Sequence, residues 1–419
     1  MKKLFFGFVI LLTIKSNAQE KINTDLNSLI NTSFHYFSKS KEVENNVITA
    51  QEKLKLAEMS RNPEIEVAAS YNYIMPKISF PINGKEIQFA PVNNISSSIG
   101  SSYNLFDFGR FKASVSKAKA ELQYSKDNVE FSKHQLANQV AIVYYNIVYY
   151  KKAIAIQDSI INYFKENKKF IANKVKNGDM LELDVYNLQS SIDFEENKKV
   201  DLTTALQKQS ALLEYLTGNK ETNGTTFDFD ASTEINSSGN PELTLAKDKI
   251  TIANQELASL KLNNKPTAGI RAGAGFRNGF IPEVENLRFN YMAGLFLNIP
   301  ISNFGKTKQQ IKLQQTIVKQ SELNQESLIN ANKKDINQTM IDISANTERI
   351  KNCKSQIEAC NKSLQITNSR YKNGVATYLD VANAVANLQK ASLFQLQYEY
   401  QLCLAKIELS RLTGTQFWK

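Results

Sequence analysis

Few residues in this chain can carry chemistry, and their spacing limits what they can do. His35 and His134 are isolated in polar stretches, with no second ligand at a metal-site spacing. Cys353 and Cys360 are seven apart on an expected helix, about 10 Å along its axis, which is too far for a bridge. They read as small core residues, and Cys403 is left without a role. The sequence holds no Ser-His-Asp cluster and no phosphate-cradling glycine loop. What remains is electrostatic: Asp184 and Asp380 each follow a Lys-Asn-Gly turn within Leu-Asp-Val. If copies of the chain surround an axis, as the strands below require, Asp380 recurs around it. Like charges at close range repel unless solvated or bridged, which makes a cation trap and a soft gate. The same carboxylates serve equally as helix caps or solvated turn residues. No catalytic residue, cofactor or metal is expected.

The two turns belong to a duplication. Gly109 recurs as Gly305 (305−109=196), and Gly178 recurs as Gly374 and Asp184 as Asp380 at the same offset. Leu216-Thr217-Gly218 recurs as Leu412-Thr413-Gly414. So regular a register makes each copy one structural unit, packed beside its twin. Because the offset is a multiple of seven, heptad stripes keep their phase. Ile329, Ile336, Ile343, Ile350, Ile357, Leu364 and Tyr371 form one stripe, and Val140, Ile147, Ile154 and Ile161 form its counterpart. A parallel stripe runs through Val115, Leu122, Val129, Leu136, Val143 and Tyr150. Such repeats impose coiled-coil-like packing.

Long helices are therefore expected over about 109–176 and 305–372, each about 100 Å long. Lys-Asn-Gly breaks each one, and a return helix runs to Thr-Gly. Further helices are expected over about 25–61 and 241–263. The boundaries read as a signal peptide at 1–18, a first repeat at 19–218, a linking segment at 219–240 and a second repeat at 241–419. Phe227 and Phe229 give the linking segment something to bury.

Four strands precede the long hairpins, at about 64–75, 94–105, 267–277 and 287–299. Each alternates strictly: Leu287, Phe289, Tyr291, Ala293, Leu295, Leu297 and Ile299 against Arg288, Asn290, Gly294 and Asn298. Period two means a half-buried strand. A soluble sheet on a core is one reading. The small hydrophilic second face and the strand length favour a tilted outer-membrane strand. Four strands cannot close, and an open edge cannot face lipid, so the chain must oligomerise. Eight strands pack nearly solid, whereas three chains give 12 and leave room for water. The fold class is thus mainly α with a β-barrel contribution. Long antiparallel hairpins form an α-barrel tunnel, and four strands per chain complete a 12-stranded barrel in a homotrimer.

Bulk properties agree. Lys2 and Lys3, the apolar run from Leu4 to Leu12 and Ser16-Asn17-Ala18 form a secretory signal too short to span a membrane. The formal charge of +10 falls to +10−3=+7 when Lys2, Lys3 and Lys15 leave with it. The remaining basic residues are spread along polar helical faces, so nucleic acid is not an expected partner. Three cysteines suit an exported protein without a disulfide framework.

These residues resemble the outer membrane efflux protein family of TolC-like channels. The resemblance rests on Asn240-Pro241-Glu242-Leu243 leading to Lys265-Pro266, and on Asn298-Ile299-Pro300-Ile301-Ser302-Asn303-Phe304-Gly305-Lys306. Arg370-Tyr371-Lys372-Asn373-Gly374 followed by Leu379-Asp380-Val381 completes it. It implies a passive exit duct in the outer membrane, in contact with lipid, whose helical tunnel crosses the periplasm. It implies docking to a periplasmic adaptor (membrane fusion) protein and an inner-membrane efflux pump or ABC transporter, without catalysis. An outlet for type I protein secretion shares this architecture, and a periplasmic coiled-coil adaptor or fibre is the non-channel alternative. The resemblance places Asp184 and Tyr371 among constraints that hold a periplasmic iris shut, and Asp380 among acids ringing the aperture. Lys174, Asn177, Gly178, Arg370, Asn373 and Gly374 fall at the tip turns where an adaptor would dock. Ala376 stands where the family has a partnering arginine, and Asn383 where it has a second ring acid.

Overall fold

Residues 24–82, 84–229 and 239–419 are described by the computed structural model. The expected signal peptide and residues 230–238 of the linking segment lie outside them. The helices are α1 (Thr24–Tyr36), α2 (Ser38–Met59), α3 (Arg110–Lys176), α4 (Glu182–Thr217), α5 (Pro241–Leu262), α6 (Lys306–Lys372) and α7 (Tyr378–Thr413). The strands are β1 (Glu64–Tyr73), β2 (Ser79–Ile82), β3 (Lys85–Gln88), β4 (Asn93–Phe106), β5 (Thr267–Arg277) and β6 (Arg288–Asn298). Both long helices have 67 residues and both return helices have 36. Each return helix ends on a glycine in the left-handed region, Gly218 at φ 77° and Gly414 at φ 74°. The helices expected over 25–61 are two, α1 and α2. The chain breaks at Phe37, whose ring meets Tyr215 edge-on at 5.3 Å, so tertiary packing sets the break where no Gly or Pro marks it.

The chain divides into two compact units, one joining the residues up to Ser38 with Lys133–Asn240 and Lys333–Lys419. Its main core gathers Leu26 and Ile30 of α1, Val140, Tyr144, Tyr145 and Ile147 of α3, Leu213 and Leu216 of α4, and Ile407 of α7. Phe229 is buried in this core and Phe227 packs against it, so the described part of the linking segment is anchored. Trp418 is buried beside Phe34. His134 is not polar-faced as its neighbours in sequence suggest. It is buried, with its ring 4.7 Å from that of Trp418 and Nε2 3.3 Å from Gln416 Nε2.

The heptad stripes differ between the two long helices. On α3, Val140, Ile147 and Ile161 are buried, as are Leu136 and Val143 of the parallel stripe. On α6 only Ile336 and Tyr371 of the isoleucine row are buried, and Ile329 is exposed. The row beside it is Asn332, Thr339, Asn346 and Cys353, all buried, then Cys360, half-buried. Burial raises the pKa of the Cys353 thiol. The unit also holds a buried polar node. The Glu195 side chain of α4, 8% exposed, accepts from Gln157 Nε2 at 2.5 Å, Gln389 Nε2 at 2.8 Å and Lys198 Nζ at 2.8 Å. Burial raises the carboxyl pKa, but the donors Lys198, Gln157 and Gln389 outweigh it and hold the group below its ordinary value.

The second unit, Lys39–Ser132 with Pro241–Asn332, carries an antiparallel sheet in the order β1-β4-β5-β6. Its register puts every apolar set on one face, since Val67 pairs with Ile99, Ile99 with Ala274 and Ala274 with Tyr291. A slip of one residue would send each set to the opposite face. That face is bare: Tyr291 is 81% exposed and Leu295 83%. The other face carries Glu66, Gly100, Gly273 and Met292 on one rung and Ser70, Ser96, Arg277 and Arg288 on another. It is less uniformly hydrophilic than the alternation suggests, because Met292 and Phe296 also stand there. A Cβ at Gly269 would lie 2.5 Å from Phe296 Cζ, so the glycine makes room for the ring. The β2–β3 hairpin is an addition to the four expected strands. Both junctions from sheet to long helix hold a phenylalanine at positive φ, Phe108 at 53° and Phe304 at 50°, a strained backbone for a residue with a Cβ. Among the described residues no helix is long and apolar enough to cross a membrane.

Candidate functional site

The functional candidates sit where the two hairpins turn. Both long helices end in the same left-handed glycine motif. At the first, Gly178 (φ 79°) donates its N–H to Val175 O at 3.0 Å and Asp179 donates to Lys174 O at 2.9 Å. At the second, Gly374 (φ 74°) donates to Tyr371 O at 3.0 Å and Val375 to Arg370 O at 2.9 Å. The pair of bonds satisfies carbonyls the helix end would otherwise orphan. Asn177 and Asn373 sit in these turns. Lys174 reaches Asp179 with an ion pair of 3.0 Å across the first turn, whereas Arg370 extends exposed from the second.

The return helices begin differently. Thr377 caps α7 through a reciprocal pair: its hydroxyl accepts from Asp380 N at 3.3 Å, and the Asp380 carboxylate accepts from Thr377 N at 2.8 Å. Thr377 Oγ1 also lies 2.8 Å from Asp380 Oδ2. These bonds from Thr377, with the nearby Arg370 charge, hold the Asp380 carboxyl below its ordinary range. The cap reading of Asp380 is thus met, and its charge stays exposed. In α4 the capping position is Leu181, which offers no side-chain bond. Leu181→Thr should rebuild the reciprocal cap with Asp184 and stabilise the start of α4 by about 1 kcal/mol. Slower amide exchange over the first turn of α4 is the check, and unchanged exchange would refute it.

Beneath the turns lies a core shared by all four hairpin helices: Ile160, Phe164 and Ile171 of α3, Leu188 and Ile192 of α4, Tyr371 of α6, and Val381 and Val385 of α7. Tyr371 is buried within it, its hydroxyl 3.9 Å from Met180 Sδ. Burial first, and then the Asp184 charge, push its phenol up to about 12. The Asp184 charge thus acts on Tyr371 across the two hairpins. Asp380 instead turns to its own cap. Ala376 packs against the core and Asn383 is exposed.

Two bonds that sequence reasoning missed join the hairpins. Tyr163 Oη donates to Asn368 Oδ1 at 2.6 Å, from α3 to α6, and Ser191 Oγ lies 2.9 Å from Tyr378 Oη, from α4 to α7. The partners lie 205 and 187 residues apart, and no local pattern marks them. Exposed apolar side chains crowd the same tips: Leu181, Leu183, Val375 and Leu379.

A model of the outer membrane efflux protein family matches residues 41–219 and 285–415. No curated protein matches the chain in sequence. Among solved structures, the outer membrane protein VceC of Vibrio cholerae is 16% identical with TM-score 0.79, over 94% of this chain and 96% of that one. The Campylobacter jejuni CmeC outer membrane channel is 16% identical with TM-score 0.77, over 93% and 86%. The open state of the Neisseria gonorrhoeae MtrE outer membrane channel is 15% identical with TM-score 0.73, over 93% and 89%. At these identities the likeness is one of fold.

Proposed function

The chain belongs to the outer membrane efflux protein family, and from that premise we propose that three copies form a passive exit duct in the outer membrane. Four strands from each chain, 3×4=12 in all, close one barrel, and the two hairpins of each chain, as repeats of one unit, continue it as a helical tunnel. An energised inner-membrane pump or ABC transporter feeds the duct through a periplasmic adaptor that docks at the turns. No step of this function requires catalysis.

One observation carries the proposal. The sheet has a continuous, exposed apolar face, yet among the described residues β1 and β6 each keep an unpaired outer edge. Lipid tolerates the face but not the edges, because unpaired backbone groups in hydrocarbon cost several kcal/mol each. Closing the sheet with other copies removes the edges and leaves the face for lipid. The bare apolar residues at the turns support docking there. The bonds of Tyr163 and Ser191 support a resting tip held together within each chain.

Purified chain should therefore require detergent, run as a trimer and conduct ions in planar bilayers. A freely soluble monomer would end the proposal. Within the conducting trimer, Asp380→Asn keeps the acceptor needed for the cap while removing the charge. It should lower cation preference and weaken block by trivalent cations added on the helical side. Unaltered single-channel currents would place Asp380 outside the ion path.

A further inference from the structure

If the sheet closes into that barrel, the face opposite the apolar one lines the water passage, and its charges are unevenly placed. Toward the helices, Glu64 and Glu66 of β1 stand with Arg271 of β5, which shares the rung of Glu64 and Ser102, so both signs meet there. At the far end, Arg277 of β5 stands directly opposite Arg288 of β6, on the rung shared with Ser70 and Ser96. Like charges directly opposite in an antiparallel ladder destabilise it, so the pair is not explained by sheet stability. Compensation is partial. Glu283 Oε2 lies 3.3 Å from Arg288 Nη2, whereas the neighbouring Glu285 is engaged by Gln88 Nε2 at 2.5 Å and Val92 N at 3.0 Å. Arg277 rests over the Phe280 ring at 4.9 Å, a contact that neutralises no charge. The adjoining positions toward the helices, Gly275 and Asn290, leave the water-facing wall low beside the guanidinium groups.

We propose that Arg277 and Arg288 form a basic collar at the outer end of the passage, which favours anionic solutes and binds those bearing phosphate groups. The proposal rests on the duct reading, since only closure brings the three pairs around one lumen. Charge of one sign in a cleft with low-dielectric walls concentrates counter-ions. The guanidinium fork matches phosphate oxygens bidentately, which a lysine ammonium does not. The collar would act opposite to Asp380 at the other end, so selectivity along the passage would change sign.

The test compares wild type, the double variant Arg277→Ser/Arg288→Ser and the double variant Arg277→Lys/Arg288→Lys as detergent-purified trimers in planar bilayers. Serine repeats the residues already on that rung, at Ser70 and Ser96. Reversal potentials in a KCl gradient should show the chloride-to-potassium permeability ratio falling roughly threefold or more in the serine variant. The lysine variant should keep the wild-type ratio but lose most of the current block by tripolyphosphate added on the outer side. An unchanged ratio and unchanged block in the serine variant would overturn the collar alone. A wild-type trimer that forms no channel would overturn the duct and the collar together.

Discussion

Tyr371→Ala should leave the tip unable to stay closed. The ring is buried among side chains from all four hairpin helices, and deleting a large buried aromatic typically costs 3–5 kcal/mol, about that much here. Because the cavity opens where the hairpins meet, the loss should fall on the closed arrangement rather than on the fold as a whole. A shift of that size moves a two-state equilibrium by on the order of a hundredfold or more. Resting channels in bilayers should show higher open probability, and the tip should become sensitive to protease. Tyr371→Phe keeps the ring and gives up only a long contact with Met180 Sδ, so it should behave almost as wild type. Equal effects in both variants would assign the result to the hydroxyl instead. The phenol adds a pH signature. Its folded value lies at about 12, above the ordinary 10.0. The stabilisation is therefore complete below pH 10 and disappears as pH rises toward 12, so the tip should loosen over that interval.

Gln157→Leu should cost about 3 kcal/mol, because it strips donors from a buried carboxylate. Gln157 Nε2 serves both the Glu195 carboxylate and the Glu195 carbonyl, at 2.5 and 2.8 Å. Without it, burial opposes ionisation of Glu195 with only Gln389 and Lys198 remaining. A lowered thermal midpoint of the detergent-solubilised trimer is the measure. The twins of these positions are Cys353 (157+196) and Ala391 (195+196), and Ala391 is fully buried. Gln157→Cys combined with Glu195→Ala should therefore recover part of the loss, since the acceptor and its closest donor leave together. A single variant as stable as wild type would mean the node is open to water. As the Glu195 carboxyl is held below its ordinary value of 4.5, its contribution is complete above that pH and is lost as pH falls below it.

The regular elements were largely legible. The alternation around Tyr291 and the heptads through Ile350 mark periods that backbone geometry enforces, so strand and helix limits fall within about two residues of those expected. The turns were legible because Gly178 and Gly374 occupy a backbone region that suits glycine. What the sequence hid depends on long-range packing. Phe37 ends α1 because Tyr215 is there to meet it, and His134 is buried because the last helix returns Trp418 and Gln416 to it. The β2–β3 hairpin is a different case, since the Asn-Gly pair in the sequence between its strands is itself a local turn signal. At the candidate site, the two left-handed turns were legible, but the electrostatic effect of Asp184 on Tyr371 was not. The bonds Tyr163–Asn368 and Ser191–Tyr378 could not be read, because each joins residues that no local period relates.

The second row of α6 has a mechanical consequence. Where α3 presses isoleucine, valine and leucine into its neighbours, α6 offers Asn332, Thr339, Asn346 and Cys353. Apolar contact resists separation at about 25 cal/mol for each Å² re-exposed to water, whereas amides and hydroxyls regain hydrogen bonds to water as they part. Peeling α6 from its bed therefore takes less work per turn than peeling α3. The weaker seam runs along one face of a single helix, so α6 should be the first of the two long helices to part from its neighbours.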